Sequence, residues 1–109
     1  MDAPETPEEV HRRFDELAEE LSHLGVSVSK MFGVPSLKAH GKAIGCLWGD
    51  SAVFKLPPER VAAALELKGT HRFDAMGDRP MKEWIVVPFA HAERWSAFAS
   101  QALGYRTGG

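Results

Sequence analysis

The sequence predicts an α+β domain: an antiparallel β-sheet of four to six strands with N-terminal, middle and C-terminal helices, in the order α-β-β-β-β-α-β-α. Three observations predict it. Apolar residues near the N-terminus recur at helical spacing. A run of short apolar segments follows, separated by tight Gly-containing turns. Those segments are grouped between helices rather than strictly alternating with them, which is the α+β pattern.

Met1 to Glu5 is polar, has an early Pro and reads as a frayed end. Thr6-Pro7-Glu8-Glu9 reads as a helix start. The expected cap is the Thr6 hydroxyl on the Glu9 amide, with Glu9 reaching back and Pro7 in the first turn. Val10, Phe14, Leu17, Leu21 and Leu24 then mark one helical face, and Gly25 closes the helix.

Val26 to Phe32 alternates and is expected as the first strand, punctuated by Gly33-Val34-Pro35. Ser36 to His40 reads as a second strand and Gly41-Lys42 as a turn. Ala43 to Trp48 and Ser51 to Leu56 read as a hairpin about Gly49-Asp50. Pro57-Pro58 ends that strand. Glu59 to Lys68 is expected as the second helix, with Val61, Ala62, Leu65 and Ala64 inward and Gly69 as its cap. Thr70 to Pro80 reads as a loop with at most a short extended piece near Phe73. Met81 to Val87 is a strand stopped by Pro88. His91 to Leu103 is the third helix, with Trp95, Phe98, Ala99, Ala102 and Leu103 on its apolar side. Tyr105 to Gly109 reads as a tail.

The chain has 109 residues, enough for one domain spanning 1–109. Hydrophobic residues make up 44% and charged residues 26%, ordinary for a soluble globular domain. No apolar run reaches the ~18–20 residues of a membrane helix. The acidic N-terminus lacks the basic and apolar regions of a secretory signal. The single cysteine, Cys46, cannot form an internal disulfide or a multi-thiolate metal site. A reduced, cytoplasmic protein is expected.

The net charge of −2 is unevenly spread. Residues 1–25 carry −6, residues 30–82 carry +4, and residues 83–109 balance. Any partner meets an acidic helix or a basic middle rather than the mean.

The familiar nucleotide, hydrolase and zinc motifs are missing, and no catalytic residue, cofactor or metal ligand set is indicated. Cys46 lies inside an apolar strand, the setting of a buried structural thiol. The five histidines do not pair at helical ligand spacing; His40 and His71 lie near turns and could meet only through the fold.

Gly77 to Trp84 is the most distinctive stretch. From Met81, strand alternation puts Met81, Glu83, Ile85 and Val87 on one face and Lys82, Trp84 and Val86 on the other. A cation beside an exposed indole makes a recognition surface. The alternative is an amphipathic strand, with Trp84 packed under a helix and Lys82 reaching water. Lys55, Arg79, Lys82 and Trp84 are the candidate interaction surface. The other bases of the middle segment include Lys30, Lys38, Lys42, Lys68 and Arg72. Gathered on one sheet face they would bind phosphates, but a pI near 6.2 fits a solvated face better than a nucleic-acid interface.

Several of these residues together resemble the TfoX/Sxy N-terminal domain family. They are Lys30-Met31-Phe32-Gly33, Leu37, Gly41-Lys42, Phe54-Lys55-Leu56 and Gly77-Asp78-Arg79-Pro80-Met81-Lys82-Glu83-Trp84. The likeness spans about residues 12–103, with YjbR/MmcQ-like proteins as a second choice. It implies a small α+β domain akin to secretion-chaperone-like folds, and a protein-interaction or transcription-accessory role. Full-length members regulate DNA-uptake competence and carry a helical C-terminal domain, of which these residues show no counterpart. The expectation is therefore a non-catalytic module with a protein partner, a homodimer being one form of it. Nucleic-acid binding through a basic sheet face is an alternative. A small-molecule site or minor enzyme near Arg79, Lys82 and Trp84 is another.

Overall fold

A computed structural model describes residues 4–31, 33–74, 77 and 80–107. The architecture is α+β: one six-stranded antiparallel sheet with three helices. The elements are α1 (Glu8–Ser22), β1 (Val26–Met31), β2 (Val34–Ala39), β3 (Lys42–Trp48), β4 (Ser51–Lys55), α2 (Pro58–Leu65), β5 (His71–Phe73), β6 (Met81–Pro88), a 3-10 turn (Phe89–Arg94) and α3 (Trp95–Thr107). Strand order across the sheet is β1-β2-β3-β4-β6-β5. Among the described residues no helix is long and apolar enough to cross a membrane.

The first four strands form a meander because their turns leave no other course. His40 and Gly41 both take positive φ, 53° and 78°, which twists the two-residue turn to match the strands it joins. Gly49, at φ 60°, does the same for β3–β4. β3 carries a bulge opposite Leu37–Lys38, so Ile44 and Gly45 face the same side. Gly45 is required there: a Cβ would lie 2.7 Å from the Val53 carbonyl oxygen and 3.2 Å from the Phe54 ring.

All three helices pack on one face. Phe14 and Leu17 of α1, Val61 of α2 and Trp95 and Phe98 of α3 meet Leu37, Phe54, Ile85 and Val87 of the sheet. Trp95 is fully buried, and its indole N–H donates to the Val87 carbonyl at 3.2 Å. The opposite face has its own smaller cluster: Val34, Cys46, Val53, Phe73, Trp84 and Val86. Trp48 meets Phe73 edge-on there, with ring centroids 5.0 Å apart.

Four local expectations need correction. The Thr6 capping box does not form. Pro7 itself is the N-cap, in extended geometry, and its carbonyl accepts the Val10 and His11 amides. Thr6 therefore lies one residue too early to cap. Pro4, expected in a frayed end, sits against Gly49 of the β3–β4 turn. Ala62 is exposed, because α2 turns only Val61 and Ala64 fully inward, with Leu65 half-buried. The short extended piece expected near Phe73 is present as β5, paired with β6. Tyr105 does not begin a tail. α3 continues to Thr107, across Gly104, with the Tyr105 hydroxyl tied to Glu83 at 2.8 Å.

Candidate functional site

The sequence singled out Lys55, Arg79, Lys82 and Trp84. Lys55 ends β4, directly opposite Trp84 in β6. Pro57 and Pro58 then turn the chain sharply into α2. This corner gathers the ends of β4 and β6 and the start of α2. Arg79 lies outside the described residues.

Alternation along β6 sorts its residues as the sequence predicts. Ile85 and Val87 join the helix-covered core, whereas Trp84 and Val86 join the opposite cluster. Trp84 differs from the expectation in another respect. It is 9% exposed, and the cluster that buries it contains no helix residue. The indole is neither a free surface ring nor a helix-covered one. Its reachable partner is Lys55, whose Nζ stands 5.8 Å from the ring centroid. A cation over an indole face is attracted to the ring quadrupole. Lys82, beside it in sequence, is exposed.

Two further residues complete the corner. Glu83 places one carboxylate oxygen 3.7 Å from Lys55 Nζ and accepts the Tyr105 hydroxyl on the other. Donating to a carboxylate favours the neutral phenol, so Tyr105 is held above its ordinary pKa of 10.0. Sequence reading missed both. Glu83 looked like one more alternating strand residue. Tyr105 looked like tail. Their link crosses between β6 and α3, and no local pattern encodes it.

Beside the corner is a hollow of about 220 Å³ lined by Pro58, Val61, Arg72, Lys82 and Glu83. Two cations flank an apolar floor, with one carboxylate that is already engaged by Lys55 and Tyr105. Other bases of the middle segment lie elsewhere: Lys38 and Lys42 flank the β2–β3 turn, and Lys30 is on β1. The positive charge is divided rather than gathered on one face.

Cys46 is fully buried, and burial pushes its thiol up to about 12. At neutral pH it is a protonated packing group rather than a nucleophile. His40 occupies the β2–β3 turn, while His71 on β5 is 3.2 Å from the Gly69 carbonyl. Among the described residues no group of three or more His, Cys, Asp or Glu side chains could hold a metal ion.

No family model matches the chain, and no curated protein matches it.

Proposed function

We propose that this chain is a non-catalytic protein-interaction module, a cytoplasmic accessory to transcription-regulatory machinery of the kind its TfoX/Sxy-like motifs suggest. Its docking surface is the corner formed by Lys55, Arg72, Lys82 and Trp84.

The observation that carries this reading is the hollow flanked by Arg72 and Lys82 over Pro58 and Val61. Its chemistry suits an acidic segment of a partner that inserts one apolar side chain. The cations select charge, while the apolar floor supplies burial. The hollow is small for a drug-sized ligand, since such pockets usually run ~300–1,000 Å³.

The test is a fluorescence-anisotropy titration with a labelled peptide of alternating Glu and Leu. A basic peptide and a DNA duplex serve as comparisons. The acidic peptide is expected to bind and to weaken with salt. Arg72→Glu with Lys82→Glu is expected to reduce that affinity at least tenfold while leaving the circular dichroism unchanged. Tighter binding of the duplex than of the peptide would overturn the reading in favour of nucleic acid.

A further inference from the structure

The two edges of the sheet are unlike. β5 is a three-residue strand, a blunt edge. β1 has six residues and, among the described residues, pairs only with β2. Large exposed apolar side chains also gather here: Val28 lies on β1, 57% exposed, and Leu24, 60% exposed, lies just before it.

The backbone of β1 has a definite outward side. Met31 faces Val34 with two residues between them. Hairpins of this length close on a hydrogen-bonded pair, and such pairs alternate along the ladder. Ser27, Ser29 and Met31 therefore direct their amides and carbonyls to β2. Val26, Val28 and Lys30 direct theirs away from the sheet. The side chains of those same three point to the helix-covered side, because Val26 and Val28 stand opposite Ala39 and Leu37 of that core.

Beside this edge, between α1 and β1, runs a hollow of about 470 Å³ whose lining includes Asp15, Glu19, Val26 and Val28. Its acids belong to the strongly negative first segment. Lys30 is exposed on the strand itself. One edge thus carries an open backbone, an apolar centre, and both signs of charge on either side of that centre.

We propose that two copies of this chain join by antiparallel pairing of β1 with β1, with the two-fold axis at Val28. Val28 then stands opposite its own copy, and Val26 opposite Lys30 of the second copy. That lysine lies over the mouth of the hollow, beside Asp15 and Glu19. The two-fold repeats each contact, so the interface is self-complementary. The two sheets become one of twelve strands, counted from the six in each chain. A second copy fits better than an unrelated peptide because the edge already holds its own charge complement at the matching register.

Sedimentation velocity over a concentration series tests this, with three variants. The wild type is expected to pass from monomer to dimer. Val28→Cys is expected to form a covalent dimer under mild oxidation, because paired strands bring the two Cα atoms to ~5.5 Å, within disulfide reach. Cys46 is buried and does not compete. Val28→Pro removes an outward amide while sparing the ladder to β2, and is expected to stay monomeric. Lys30→Glu is expected to weaken dimerisation roughly fivefold, with recovery on adding Glu19→Lys. A wild type that stays monomeric throughout would overturn the proposal. So would a dimer indifferent to both Val28→Pro and Lys30→Glu. The corner is remote from β1 in strand order, so acidic-peptide binding by a monomeric Val28→Pro variant separates this proposal from the functional one.

Discussion

β4 serves two interiors at once. Ala52 and Phe54 point into the helix-covered core, while Val53 between them points into the opposite cluster. Both sides are buried, but by different means. Phe54 meets Phe98 of α3 at 6.1 Å between centroids, so its side of the sheet is closed by whole helices. Val53 is closed by side chains of the strands themselves, including Phe73 and Trp84. Helices make a thick, closed layer. A sheet that buries its second face with its own residues leaves a thin one, whose rim is reachable. The reachable rim is where Lys55 stands over Trp84. Closure by helices and closure by the sheet's own side chains thus alternate along the same strands, residue by residue.

The sharpest way to break this comparison is to truncate one tryptophan on each side. Trp95→Ala is expected to cost about 3–5 kcal/mol, because it opens a cavity in the closed layer and removes the indole hydrogen bond to Val87. That is a large share of a typical domain's ~5–15 kcal/mol. Trp84→Ala is expected to cost about 2–3 kcal/mol, since water and the Lys55 stem can fill space at the rim. Urea unfolding followed by circular dichroism measures both. Equal losses would mean the two faces are closed alike.

Cys46 sharpens the comparison from within the thin layer. It is the only cysteine, so a thiol reagent reads it alone. At pH 8 the folded chain is expected to react about three orders of magnitude more slowly than the urea-unfolded chain, in line with a thiol held near 12. The linkage sign follows. A raised folded pKa means the group's contribution to stability is whole below the unfolded value of ~8.5. It is lost as pH rises from there through about 12. Rapid labelling in the folded state would show that this face opens readily.

The smallest expected effect lies where α3 reaches the rim. Tyr105 is the single tyrosine, so ultraviolet absorbance titration follows it without overlap. Its midpoint is expected above the ordinary value of 10.0, and Glu83→Gln should bring it back down. Tyr105→Phe should lower stability slightly below pH 10, and progressively less as the phenol of the parent ionises.

Much of the fold was legible because it rests on local signals. The spacing of Val10, Phe14, Leu17, Leu21 and Leu24 marked α1; the first four are buried with Ala18, whereas Leu24 lies past the helix end and is exposed. Alternation in β6 assigned Ile85 and Trp84 to opposite faces. What was not legible depends on contacts between distant segments. Three residues of β5 are too few to show a period; pairing with β6 makes them a strand. Gly104 reads as a helix breaker, yet α3 crosses it and is tied at Tyr105 to a carboxylate in β6. Alternation could put Trp84 on the face opposite Ile85, but not reveal which face the helices cover or that the other packs on itself. The candidate site was legible as a set of cations near an indole. Its organising residue, Glu83, became visible only when Lys55 and Tyr105 arrived on its two oxygens.

The most direct test of docking at this corner is an NMR titration of the nitrogen-15-labelled protein with the Glu-Leu peptide. Trp48, Trp84 and Trp95 each supply a separate indole N–H signal. The Trp84 indole and the amides of Lys55, Arg72 and Lys82 are expected to move together while the Trp95 indole stays fixed. Shifts confined to Trp95 or to β1, with the corner unmoved, would contradict it.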